Sequence, residues 1–154
     1  MIELLLNTIK MDNLHTYQVH SPYCPPSPYD TLYDPDYQGW ILSDYGELKR
    51  RAGKDRRSIH NLFWGGEDKG VKGDRLNLEL ISDRDTQHLL ALYDGEIRYT
   101  DEILGRFFKE LEKQGLLGND RTLLIITSDH GEEFREHGDF LHKRLYWETI
   151  EVPL

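Results

Sequence analysis

Disulfide bonding within this chain is excluded, because its sequence holds a single cysteine, Cys24. Long hydrophobic runs are also missing. Nothing approaches the roughly 18 consecutive apolar residues that a membrane-spanning helix needs. The apolar start, Ile2 to Leu6, is interrupted by Glu3. It lacks the basic region and the longer apolar stretch of a signal peptide, and reads instead as a buried strand over Ile2–Ile9. Basic charge is scarce: 19 Lys and Arg against 28 Asp and Glu leave a net charge of −9. A nucleic-acid binder would show a basic patch. Neither nucleic acid nor a membrane is therefore expected as a partner. The acidity favours solubility, and a buried cation would offset part of it.

What is present suits one folded unit. The chain has 154 residues, 38% hydrophobic and 31% charged, enough for a single domain with a core. No repeat and no low-complexity linker divides residues 1–154. From His20 to Gly39 the sequence holds Pro22, Pro25, Pro26, Pro28 and Pro35. Proline fixes φ and removes backbone donors, so this segment is a loop. Trp40 to Ser82 is polar. Its basic stretch Lys49 to Arg57 is read either as a solvated face or as a contact for a polyanionic substrate.

The clearest pattern begins at Ser82. Ser82-Asp83-Arg84-Asp85 is close to a capping box. Tyr93, Ile97, Thr100, Leu104, Phe107 and Leu111 then recur at alternating spacings of four and three. That is one face of an amphipathic helix, expected over Asp83–Gln114. Gly115 is a suitable left-handed stop. Thr122-Leu123-Leu124-Ile125-Ile126-Thr127 is an apolar run that suits a strand buried on both faces of a parallel sheet. Helix and then buried strand make an α/β unit: a partial mixed or parallel sheet flanked by helices. Glu151 to Leu154 stop where another strand would begin, so the domain reads as partial and truncated at both ends.

The expected strand ends at Ser128-Asp129-His130-Gly131, and ligand sites of open α/β sheets lie beyond the carboxyl ends of strands. A carboxylate and an imidazole side by side can reach one divalent ion if the backbone turns, which Gly131 would ease. Glu132, Glu133, Glu136, His137, Asp139 and His142 come close behind. The alternative is an acidic surface loop with scattered histidines. His20, before the proline-rich loop, is either structural or a donor to an anionic substrate, since imidazole titrates near neutrality.

Four ordered blocks resemble the sulfatase family of alkaline-phosphatase-like hydrolases, and they cover nearly the whole chain. His20-Ser21-Pro22-Tyr23 with Pro25-Pro26 and Pro28-Tyr29-Asp30 is similar to the family's H-x-P-Y … P-P-x-Y-D segment. Tyr93 to Asp101 resembles its Y-D-G-E-I-x-Y-x-D helix. Thr127 to Glu132 reads T-S-D-H-G-E, as its metal loop does. Glu136-His137-Gly138, His142, Tyr146-Trp147-Glu148 and Val152-Pro153-Leu154 resemble the family's stretch beyond that loop. The resemblance implies an alkaline-phosphatase-like fold and cleavage of a sulfate ester. It implies Asp129 and His130 as metal ligands, usually for calcium, and His20 as a contact to the sulfate. His142 and Lys143 compete for a further anion-contacting role. The implied substrate is a sulfated small molecule or glycan.

Two parts of the family pattern do not appear. One is the aspartate pair that completes the metal site. The other is the C-x-P-S-R or S-x-P-S-R motif, whose cysteine or serine becomes the formylglycine nucleophile. Cys24-Pro25-Pro26-Ser27-Pro28 imitates its first four positions, but it has Pro28 in place of arginine and lies on the wrong side of His20. The chain by itself is therefore expected to be inactive. The same residues also suit a phosphate or phosphonate ester hydrolase or transferase, or a sulfatase-like protein kept for binding.

Overall fold

A computed structural model of the protein describes residues 13–44, 46–47 and 81–153. The strand expected at Ile2–Ile9 and the basic stretch from Lys49 to Arg57 lie outside them. The described elements are helix α1 (Asp83–Lys113), strands β1 (Glu133–Phe134) and β2 (Phe140–Leu141), and a short helix α2 (Trp147–Ile150).

Both ends of α1 arise from side-chain and backbone chemistry. The Ser82 hydroxyl accepts a hydrogen bond from the Asp85 N–H at 3.1 Å. The Asp85 carboxylate accepts from the Ser82 N–H at 2.9 Å, which completes the reciprocal box. At the other end Gly115 takes φ +69°, its N–H bonding the Glu112 carbonyl, while the Leu116 N–H reaches back to Leu111 at 2.8 Å. This is the Schellman arrangement that the glycine announces.

The face that α1 buries differs from the one its apolar spacing suggests. Asp85, His88, Leu89, Leu92, Gly95 and Glu96 are buried, whereas Ile97 and Phe107 are exposed. The buried residues of α1 stop at Glu96; beyond it the proline-rich loop touches the helix through Tyr29, whose ring packs on Tyr99 and whose hydroxyl donates to the exposed Glu102. The polar members of this face are tolerated because each is hydrogen-bonded.

The core forms where loop, helix and hairpin meet. Tyr23, Ile41, Ile81, Leu89, Leu92, Phe134, Phe140 and Leu141 make one buried cluster. The Tyr23, Tyr93 and Phe134 rings pack with centroids 5.1 to 5.5 Å apart, the range of favourable aromatic pairs.

The sheet is not the one expected. Strands β1 and β2 form an antiparallel hairpin with Glu133 opposite Leu141 and Phe134 opposite Phe140. It is the one sheet among the described residues. Thr122–Thr127 is irregular rather than a buried strand, and Leu123 and Ile125 are 84% and 66% exposed. A strand is satisfied by N–H and C=O groups on its neighbours. None stands beside this run among the described residues.

Candidate metal and anion site

The site begins with a loop fastened to a helix. Glu96 of α1 is buried, and its carboxylate accepts from the backbone N–H groups of Val19 at 2.8 Å and Cys24 at 2.7 Å, and from the Gln18 side chain. One turn of helix thus holds both ends of the segment carrying His20. Gly95 beside it lets the loop approach: a Cβ there would lie 2.5 Å from the Tyr29 carbonyl oxygen. Val19 adopts φ +72°, a left-handed conformation that strains a β-branched residue by roughly 1–3 kcal/mol. The Glu96 bond helps hold it there. Leu141, just before His142, is likewise left-handed at φ +70°. Two of the site's histidines thus come directly after strained residues.

Cys24 does not behave as a nucleophile. Burial first, then the Glu96 and Asp44 carboxylates, push its thiol up to about 12. It stays protonated at neutral pH.

The hairpin supplies the other wall. Glu133 of β1 is buried, and its carboxylate accepts from the His137 N–H at 2.9 Å and the Asp139 N–H at 3.3 Å. That fixes the turn and returns the chain so that His142 comes back to the metal loop. The His130 and His142 rings stack at 3.7 Å, and the His20 ring lies 6.1 Å from that of His142. Glu132 closes the group. It accepts from the Tyr23 hydroxyl at 2.7 Å and pairs with Nδ1 of His142 at 3.0 Å. Burial, reinforced by Glu132, raises the Tyr23 phenol well above its ordinary range, so it remains a donor.

The residues singled out in the sequence divide by geometry. His20, His130 and His142 come together. Asp129 adjoins them, with its carboxylate 3.8 Å from Nε2 of His130, but it is 74% exposed. Its own backbone N–H first, and then the neighbouring His130, hold its carboxyl below the usual range. Lys143 reaches Asp139 at 3.3 Å instead of the imidazole group. Glu132 is the member to which the sequence assigns no role, because nothing in its spacing shows that His142 folds back onto it. Glu96 is legible only as part of a motif.

These donors fit a divalent cation, since one ligand atom each from His130, Glu132 and His142 lies within 4.8 Å of the others. They fit calcium less well. Calcium takes about six to eight oxygens and does not favour nitrogen. Asp129 and Glu132 supply the carboxylates at this group.

Comparison with known proteins agrees with the motifs. The Sulfatase family pattern matches residues 11–154. A multifunctional alkaline phosphatase superfamily protein, PehA, of Trinickia caryophylli is 28% identical over 92% of this chain and 27% of its own length. Arylsulfatase K of Mus musculus is 34% identical over 48% of this chain and 13% of its own. An N-acetylglucosamine-6-O-sulfatase of Bacteroides thetaiotaomicron is 37% identical over 54% of this chain and 14% of its own. The chain thus spans about a quarter or less of the length of these relatives. No solved structure matches it significantly. The match over residues 11–154 and the motifs gathered around His130 agree: the chain belongs to the sulfatase family, whose fold is alkaline-phosphatase-like.

Proposed function

We propose that this chain forms the metal and anion side of a sulfuric ester hydrolase site. In this reading Asp129 and His130 hold a divalent ion, and His20 and His142 donate hydrogen bonds to sulfate oxygens. The observation that carries it is the meeting of His20, His130 and His142 from three separate segments. Imidazolium donors bond anionic oxygens more strongly than neutral donors do. Fixed in place by Glu96 and by the hairpin, they meet charge developing in the transition state without reorganising. Protonation of the leaving oxygen falls to His142, which faces the group. Lys143 is the alternative donor, because its exposed pair with Asp139 is worth about 1 kcal/mol or less and releases easily.

A divalent ion, when bound, neutralises charge on the ester and polarises it for attack. Calcium is the ion implied by the family resemblance, and these residues would hold it weakly. Residues 1–154 are read as one partial catalytic domain. They contain no C-x-P-S-R or S-x-P-S-R sequence, so no turnover is expected from them alone. The names of the relatives support a sulfated small molecule or glycan as substrate. The net charge of −9 argues against nucleic acid, and no helix among the described residues is long and apolar enough to cross a membrane. A second reading, hydrolysis or transfer of phosphate or phosphonate esters, is favoured by the relative that aligns with most of this chain and is named multifunctional.

Titration of the purified chain with sodium sulfate, monitored by imidazole NMR shifts, tests the site. His20→Ala should weaken sulfate binding by about tenfold, equivalent to about 1.4 kcal/mol. Unchanged binding in that variant sinks the assignment. Phosphate binding well above sulfate would favour the second reading.

A further inference from the structure

We infer that the cavity beside His20 takes the sugar ring of a sulfated monosaccharide, with Tyr17 as its stacking face and the Ser21 hydroxyl as its hydrogen-bond partner. The orientation of the ester rests on the sulfate-binding reading of His20; the cavity itself does not. It measures about 340 Å³, and Tyr17, Gln18, His20, Ser21 and Glu96 are among the residues that line it. That volume is at the lower end of the roughly 300–1,000 Å³ found for small-molecule sites, so it suits one ring rather than a chain of them. Because His20 is part of the wall, a sulfate held by that imidazole brings the ring it esterifies to the cavity.

Three features of the wall select a sugar. First, Ser21 is 5% exposed, and its Oγ has no hydrogen-bond partner among the described residues. Buried hydroxyls are nearly always paired, so one left over in a cavity wall calls for a ligand group that can give and take a hydrogen bond. A sugar hydroxyl does both, whereas an apolar or aryl group leaves Ser21 unsatisfied. Second, Tyr17 is 78% exposed, and its ring centroid stands 6.2 Å from that of His20. The C–H faces of a pyranose carry slight positive charge and lie well on the negative face of an aromatic ring. Third, the cavity is not built for another anion. Among the described residues no lysine or arginine lines it, whereas Glu96 does. The Glu96 carboxylate already accepts from Gln18, Val19 and Cys24. A carboxylate has room for about four such bonds, so it favours a neutral donor such as a further hydroxyl.

The test uses the whole 154-residue chain with sodium sulfate, glucose 6-sulfate, cyclohexylmethyl sulfate and methyl glucoside as probes. Imidazole NMR shifts read binding at His20, and nuclear Overhauser effects from sugar C–H protons to the Tyr17 ring read contact with the cavity. Glucose 6-sulfate should bind at least about tenfold more tightly than sulfate. It should also bind more tightly than cyclohexylmethyl sulfate, whose ring is the same size but has no hydroxyls. Ser21→Ala should weaken glucose 6-sulfate by about three- to tenfold, the worth of one neutral hydrogen bond, and leave sulfate within about twofold. The melting temperature of this variant should not fall, because the hydroxyl it loses has no partner in the protein; a structural hydroxyl would lower it. Tyr17→Ala should weaken the sugar ester by a similar factor. If a variant does not fold, the contacts to Tyr17 in the wild-type chain still decide, and their absence overturns the inference. So does an affinity for glucose 6-sulfate that Ser21→Ala leaves unchanged, or that cyclohexylmethyl sulfate equals. Sulfate that binds while the sugar adds nothing would sink the inference and leave the hydrolase reading standing. Methyl glucoside in contact with Tyr17 while sulfate fails to bind would do the reverse.

Discussion

Gly131 occupies a place with no room for a side chain. A Cβ there would lie 2.1 Å from the Glu148 carbonyl oxygen, and its N–H bonds the Thr149 carbonyl at 2.9 Å. In the sequence, this glycine suggests a turn in the metal loop. Its φ is not in the left-handed region, and what it provides is close approach to α2. Both partners are backbone, so neither can swing aside. Gly131→Ala should therefore destabilise the fold by about 1–3 kcal/mol and displace His130 beside it. Gly105, in α1, has nothing within 4 Å of the equivalent position. Gly105→Ala should stabilise by up to about 1 kcal/mol through helix propensity. Urea unfolding of the two variants checks both signs. Equal effects would refute the distinction between a glycine needed for space and one that is not. A sequence shows both residues as glycine and shows neither neighbour.

The elements differ in how openly the sequence declares them. Helix α1 is legible at both ends, because a capping box and a Schellman glycine are local chemistry within a few residues. Its buried face is not, because burial depends on what packs there. His88 is such a case. Its ring stacks on Tyr37 at 3.6 Å, and its Nδ1 meets Asp34 at 2.8 Å, while Arg84 grips both oxygens of Asp34 at 2.6 Å. Burial lowers the His88 pKa, and this outweighs the opposing pull of Asp34. A depressed folded-state pKa means that the unfolded chain binds the proton more tightly. The stability is complete above the unfolded value of about 6.5 and is lost as pH falls through the folded value. The Asp34 carboxyl is also lowered, chiefly by Arg84, so its contribution is lost further down, below about pH 3.9. Melting temperature should thus drop between about pH 7.5 and about pH 5.5, and His88→Gln should flatten that drop. An unaltered slope in the variant would show that another histidine carries it.

At the scale of the whole molecule, the site is better satisfied than the layer expected to support it. His20, His130 and His142 converge across more than a hundred positions because short local devices aim them: Glu96 under the loop, and Glu133 under the turn. The motif residues are legible one block at a time, and their meeting is not, since nothing local encodes a distance across the fold. Thr122–Thr127 shows the opposite case. Its composition suits a sheet interior, yet Leu123, Leu124, Ile125 and Ile126 are all exposed. Six residues of high β-propensity, without charge or proline, are a template for pairing with another chain. The net charge of −9 opposes association only weakly here, because charges farther away than about 8 Å are screened at physiological ionic strength. The chain should therefore self-associate through this run as its concentration rises, and more so as added salt screens the remaining repulsion. Leu123→Lys with Ile125→Lys places two charges at its most exposed apolar positions and should shift the chain toward monomer, leaving α1 intact by circular dichroism. Sedimentation velocity across a concentration series reads this directly. A wild-type chain that stays monomeric at every concentration and in high salt would refute pairing through this run.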